Sequence, residues 1–289
     1  ALQGGAAAVL CHPGTELPDG EYSAVEVDDT LTAFQGAARY ARRQCSGPVV
    51  AITGSNGKTT TRAMVEAVLR SHFDSVLCTQ GNLNNHLGVP LTLLGAPHQP
   101  DAMVIEFGMS APGENAELAA VAEPSVSIIT SIALEHLEFM GTIEAIAQAE
   151  AEVVPHLPRD GVVIVPGEER TLEPFLADAP RVVRQGIGDF EVEIRDGRLG
   201  LTTDGTIVVN GRPLAVSLHT FGLHNLRNAA SALAVASHLG LDLERAARAL
   251  AKVQPVGDRG RVIRWNGHRL IADCYNANPG SMEVALRSL

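Results

Sequence analysis

No apolar run in this sequence approaches the roughly 20 residues that a membrane-spanning helix requires, so no membrane insertion is expected. Cysteine is also scarce. Cys11, Cys45, Cys78 and Cys274 stand far apart, with no CxxC pair and no His/Cys cluster, so a reduced, cytoplasmic setting is expected, with the thiols acting as small apolar groups. Positive charge is in deficit: 22 Lys and Arg face 33 Asp and Glu, a formal net charge of -11. That balance argues against a general nucleic-acid or anionic-membrane surface, so no nucleic-acid partner is expected. An acidic protein can still bind phosphate locally, through backbone amides and one or two cations. There is no internal repeat or low-complexity tract. The sequence starts at Ala1 inside an apolar segment, so further sequence upstream is expected.

What is present suits a layered α/β protein. With 289 residues, 45% of them apolar, the chain can form one large or two ordinary domains. Short apolar runs at 49–53, 75–79, 103–107, 126–130 and 161–165 read as buried strands. Helical patterns fall at 59–71, 114–122 and 142–157. This alternation predicts a parallel sheet with crossover helices. From 182 to 220 the pattern becomes alternating β with turn signals at Asp196-Gly197, Asp204-Gly205 and Asn210-Gly211, which predicts hairpins. Helices return at 225–239 and 243–253. A hairpin over 262–273 turns at Asn266-Gly267, and a last helix spans 281–289. Residues 1–45 hold one strand and one helix, and the glycine-containing charged stretch 257–261 is the best boundary towards a further domain.

The most informative segment is Thr53, Gly54, Ser55, Asn56, Gly57, Lys58, Thr59 and Thr60. A strand, a glycine-rich turn and then Lys-Thr-Thr opening a helix is a physical recipe for holding a polyphosphate. The glycines let the backbone approach, and the free amides and positive helix end face the anion. Lys58 can reach terminal phosphates, and the Thr59 hydroxyl can ligate magnesium. The GxxGKT spacing is shorter than the general GxxxxGK[ST] pattern. An ordinary glycine turn before a lysine would look similar, but here a buried strand precedes it and an amphipathic helix follows. Glu106 closes another strand, where a carboxylate could coordinate magnesium beside Thr59 or simply cap the sheet edge.

Residues 51–61 (AITGSNGKTTT), 80–90 (QGNLNNHLGVP), 104–114 (VIEFGMSAPGE), 136–141, 222–229 (GLHNLRNA) and 275–282 (YNANPGSM) recur in order along the chain. Together they resemble the Mur ligase family. The resemblance implies three domains: the end of a UDP-sugar-binding domain at 1–45, a central ATP-binding domain at 46–256, and the start of a C-terminal ligase domain at 257–289. The expected fold class is therefore α/β, a parallel-sheet ATPase domain with a β-hairpin-rich insertion and parts of flanking α/β domains. The resemblance also implies ATP-dependent amide ligation through an acyl phosphate in peptidoglycan precursor synthesis. ATP and Mg2+ would be the cofactors, a UDP-muramoyl peptide and D-alanyl-D-alanine the molecules joined, and a monomer the working form. A paralogous ligase with another acceptor, or a non-catalytic nucleotide-binding relative, are the alternatives.

Residue by residue, the resemblance places His136 at a second magnesium, and His224, Asn225 and Asn228 near the nucleotide. Asp273 falls at the ribose and Arg261 at the γ-phosphate, with Arg259 as the fallback. Thr79, Asn82, Asn84, Asn85, Tyr275, Asn276 and Asn278 would face the substrates. Leu223 stands where the family usually has arginine, and Cys274 where it often has a second acidic residue. Glu150 stands where the family usually has a carboxylated lysine that ligates the second metal. Ile143, Ile146, Val153 and Leu157 form an apolar stripe at helical spacing, and Glu150 lies on it. A carboxylate on an inward face needs a partner. Either Glu150 ligates the metal directly, or the second metal site is weakened or absent.

Overall fold

A computed structural model describes residues 5–96, 99–134, 140–200 and 202–289. Its centre is a nine-stranded sheet in the order β11-β10-β9-β8-β7-β6-β3-β5-β4. The parallel part contains β3 (Val49–Thr53), β4 (Val76–Cys78), β5 (Ala102–Glu106), β6 (Val126–Ile129), β7 (Val162–Pro166) and β8 (Val182–Gly186). Strands β3, β5, β6 and β7 are buried along their whole length. That matches their continuous Val/Ile runs, since a parallel sheet is covered on both faces.

One face packs against α2 (Lys58–Arg70), α6 (Asn225–His238) and α7 (Leu243–Leu250), through Met64, Val68, Leu233 and Leu250. The other packs against α1 (Thr30–Arg43), α3 (Gly88–Leu94), α4 (Glu114–Ala122) and α5 (Ile143–Glu150), through Ala38, Leu93, Leu118 and Ile146. Strand β3 lies between β5 and β6, so the order of connection reverses around it. Ligand crevices open at such switch points, beyond the carboxyl ends of the strands. Among the described residues no helix is long and apolar enough to cross a membrane.

The expected strands and helices appear, with differences that have physical reasons. The helix expected over 142–157 is α-helical only to Glu150. Ala151–His156 is a tighter 3-10 segment holding Pro155, which has no N–H for an α-helical bond. The N-terminal region holds two short parallel strands, β1 (Ala8–Cys11) and β2 (Ser23–Glu26), rather than one. Near the C-terminus, β12 (Arg261–Trp265) and β13 (His268–Ala272) form the expected hairpin, and α8 (Pro279–Arg287) follows.

Of the three Asp/Asn-Gly turns expected in the β region, only Asn210-Gly211 joins two strands, β10 (Thr203–Val209) and β11 (Arg212–Leu218). Asp196-Gly197 lies inside β9 (Val192–Leu199), and Asp204-Gly205 lies inside β10. Gly197 and Gly205 face each other across the antiparallel pair, under the first turn of α6. A Cβ at Gly197 would stand 2.6 Å from Leu226 Cδ1 and 3.0 Å from Leu223 Cδ2. These two glycines therefore admit a helix rather than turn a chain.

Gly205→Ala should lower the unfolding free energy by about 1–3 kcal/mol, because its Cβ would stand 2.6 Å from the Asp196 carbonyl oxygen. Gly36→Ala, inside α1 with open space around the new methyl, should instead raise it by about 0.5–1 kcal/mol. Denaturant titration of both variants checks this opposite pair of signs.

Candidate functional site

The segment 53–60 leaves the carboxyl end of β3 and enters α2, as the sequence predicts. Gly54 has φ 113° and Gly57, the residue before α2, has φ 88°. Both lie in the left-handed region that glycine tolerates best. A side chain at Gly57 would also stand 2.9 Å from Asn228 Oδ1.

The loop after β6 grips this segment. Ser55 N donates to Ser131 O at 2.9 Å and Asn56 N donates to Ser131 Oγ at 2.9 Å. Ser55 Oγ donates to Ala133 O at 3.1 Å and accepts from Ala133 N at 2.9 Å. The first helical amides, of Lys58, Thr59 and Thr60, have no intrahelical partner, and among the described residues no side chain caps this helix start. These residues are half-buried, whereas Thr53, Gly54 and Ser55 are buried. Lys58 Nζ folds back over the loop and donates to Gly54 O at 2.5 Å and Ser55 O at 3.3 Å. The arrangement is a cradle of free amides and one cation, open on one side.

Glu106 is the second centre. It ends β5 with 3% of its surface exposed. Its Oε1 accepts from Thr59 Oγ1 at 3.3 Å and Asn84 Nδ2 at 3.1 Å, and its Oε2 from Arg62 Nε at 3.1 Å. Arg62 is itself buried and donates through Nη1 to Thr79 O at 2.5 Å. Arg62 escapes a reading of the sequence, but its spacing holds the signal: it lies one turn after Lys58 on the inward side of α2. Thr79, expected at the substrate, is fully buried, and its hydroxyl accepts from Glu106 N at 2.9 Å. Asn84 is committed to Glu106. Asn85 Oδ1 accepts from Gly88 N at 2.8 Å at the start of α3, and Asn82 is exposed.

Glu150 is 1% exposed. Its Oε2 accepts from Thr53 Oγ1, from Gly54 N at 2.8 Å and from Asn115 Nδ2 at 3.1 Å. Asn115 is a second residue without a signal in the sequence, since it lies inside an ordinary helical pattern. His136 lies outside the described residues. Among the described residues no three His, Cys, Asp or Glu side chains converge as a metal cluster. Thr59 and Glu106 still form a pair of hard oxygen donors beside the cradle. That suits magnesium, which keeps several waters and takes few protein ligands.

On the far side, Asn228 Oδ1 accepts from Thr61 Oγ1 at 3.1 Å, and its Nδ2 donates to Asn225 Oδ1 at 3.0 Å. Asn225 Nδ2 donates to Phe221 O at 2.9 Å and lies 3.2 Å from His224 Nε2. Burial pulls the His224 pKa below the usual imidazole value, against a smaller opposing pull from Asp273. The ring is therefore held neutral near pH 7, and its buried Nδ1 has no partner among the described residues.

The C-terminal segment comes to the same place. Asn278 Nδ2 donates to Asn56 Oδ1 at 2.8 Å. Arg261 pairs with Asp258 at 2.6 Å, and Arg259 stacks 3.6 Å from the Tyr275 ring centroid. Asp273, Tyr275 and Asn276 are exposed.

The sequence profile of the Mur ligase middle domain matches residues 52–236. Along 99% of its length the chain is 35% identical to the UDP-N-acetylmuramoyl-tripeptide–D-alanyl-D-alanine ligase of Bacillus subtilis (strain 168), of which it spans 62%. The chain superposes on the crystal structure of MurF from Acinetobacter baumannii with a TM-score of 0.90 and 30% identity, over 98% of this chain and 68% of that one. The MurF ligase of Thermotoga maritima, solved in complex with ADP, gives a TM-score of 0.90 at 27% identity, over 100% and 66%. With the profile matched over most of its central sheet and the sheet itself shared with these structures, the chain belongs to the Mur ligase family.

Proposed function

We propose that this chain carries the ATP-handling part of a ligase that joins D-alanyl-D-alanine to a UDP-N-acetylmuramoyl tripeptide in the cytoplasm. The observation that carries this reading is the cradle at 53–60, with the Thr59–Glu106 oxygen pair beside it at the switch point of the sheet. The relatives named above support the choice of substrates, and the ADP complex of one of them supports the choice of nucleotide.

In this reading the amides of Lys58, Thr59 and Thr60 and the Lys58 ammonium hold the ATP phosphates. The tripeptide carboxylate takes the terminal phosphoryl group and ADP departs. The amine of D-alanyl-D-alanine then attacks the acyl carbon, loses a proton and displaces phosphate as the amide forms. Charge accumulates on the transferring group, so fixed positive charge and preorganised donors lower the barrier. Magnesium, when bound, would be held by Thr59 and Glu106 and would neutralise phosphate charge. His136 is the family's position for a second metal. Arg62 and Asn84 would keep the Glu106 carboxylate turned towards Thr59. His224, Asn225, Asn228 and Asp273 would line the nucleotide, with Arg261 free to leave Asp258 for the phosphates, or Arg259 in its place. Asn82, Asn85, Tyr275, Asn276 and Asn278 would lie towards the two substrates.

Phosphate release by the full protein, with ATP, UDP-muramoyl tripeptide and D-alanyl-D-alanine each omitted in turn, tests the proposal. Turnover should require all three. Release that ignores D-alanyl-D-alanine would point to a ligase with another acceptor, and nucleotide binding without any turnover would point to a non-catalytic relative. Lys58→Ala should lower the rate on the order of 100-fold while leaving the denaturant midpoint nearly unchanged. Arg62→Met should differ in its effect on stability, lowering the unfolding free energy by about 3–5 kcal/mol because it strands a buried carboxylate. Arg62→Lys should lose less.

A further inference from the structure

A buried carboxylate is stable only where donors or cations surround it. Among the described residues no Lys, Arg or His forms an ion pair with Glu150. Its donors are instead the last residue of β3, the first residue of the phosphate loop and a side chain of α4, all on one oxygen. Asn115 Nδ2 also lies 3.0 Å from Thr53 Oγ1 and 3.1 Å from Ala149 O, so the four residues form one closed network. Thr130 closes the other side. Its Oγ1 donates to Thr53 O at 3.0 Å, and its N–H donates to the same oxygen at 3.0 Å. Thr53 and Gly54 are thus clamped between α5 and the end of β6. The direction in which the chain leaves β3 sets where the amides of α2 point, so the clamp acts on the cradle without touching its contents.

We infer that Glu150 is a positioning residue of the phosphate loop, holding Thr53 and Gly54 through Oε2 so that α2 presents its first amides to a nucleotide. The inference rests on reading 53–60 as a nucleotide site. A carboxylate suits the place because an ionised oxygen accepts more strongly from three convergent donors than an amide oxygen would. Its Oε1 takes no hydrogen bond within the described residues, so metal ligation through that oxygen is the rival role. The two roles separate cleanly. A clamp affects nucleotide binding with or without magnesium, and a ligand affects it only with magnesium.

The test measures the ADP dissociation constant of the full chain by calorimetry, in excess EDTA and in saturating magnesium, well below the melting temperature. Glu150→Gln, which keeps an accepting oxygen but not its charge, should weaken ADP roughly 10-fold, as charge-assisted bonds become neutral ones, and by similar factors in both conditions. Thr53→Val should weaken it less. The double variant should weaken it by clearly less than the product of the two, because the residues act through one bond. Thr53→Ser, which keeps the hydroxyl, should restore wild-type binding, and this pair carries the test if Glu150→Gln does not fold. Weakening confined to magnesium, or multiplicative effects in the double variant, would overturn the inference alone. A wild-type protein that binds no ADP in either condition would overturn the nucleotide-site reading, and the inference with it.

Discussion

A carboxylate at the end of a strand covered on both faces costs several kcal/mol in lost hydration unless donors replace the water. Glu106 occupies such a place, and the surrounding structure is arranged to satisfy it. Arg62 supplies charge from α2, Asn84 supplies an amide from the loop after β4, and Thr59 supplies a hydroxyl. Two of these donors lie on α2 and the third on the asparagine-rich loop. Satisfying one carboxylate therefore fixes the angle of α2, the course of the asparagine-rich loop and the position of Thr59 together. Arg62 has the same need in reverse, and the Thr79 carbonyl meets it. Neither partner of this ion pair could be buried alone.

The phosphate loop is held by the same logic from three further directions. Ser131 occupies the amides of Ser55 and Asn56, and Ala133 the Ser55 hydroxyl. Glu150 and Asn115 hold its root, and Asn228 packs against Gly57 and binds Thr61. The first amides of α2, of Lys58, Thr59 and Thr60, are left without an intrahelical partner. A site fixed in this way need not reorganise when charge develops at it, which is where electrostatic catalysis gains most. The clamp and the cradle are thus different residues with different duties.

Much of this was readable in the sequence where local pattern and burial agree. Val49–Thr53 and Glu114–Ala122 have the boundaries that their apolar runs predict, and the glycine, lysine and threonines of the loop lie where their chemistry suggests. The β region was harder, because Asp-Gly is ambiguous: it turns a chain, or it makes room. Gly197 and Gly205 make room for Leu223 and Leu226 of a segment that arrives later in the chain, and no local pattern announces that. Arg62 and Asn115 escaped for a related reason. An arginine or asparagine inside a helix is normally solvated, and only the tertiary structure brings their partners, Glu106 and Glu150, against them. Glu150 itself was legible as an inward carboxylate needing a partner. The identity of that partner was not, since Thr53 and Gly54 lie 97 and 96 residues away.

The longest-range contact in the site, Asn278 to Asn56, spans 222 residues and is of another kind. Asn278 Oδ1 accepts from Ser281 N and caps α8, and its Nδ2 is left for the loop. The cap therefore survives if the contact to Asn56 breaks. A single neutral hydrogen bond contributes about 0.5–1.5 kcal/mol, far less than the buried carboxylate networks beneath the loop. The site joins a rigid floor, set by Glu106 and Glu150, to a weakly held roof formed by the C-terminal segment. For the proposed ligation, in which three molecules enter and three leave, that division of strength would be the useful one. The floor would keep bound phosphates in register, while breaking the Asn278–Asn56 bond alone would cost little more than thermal energy.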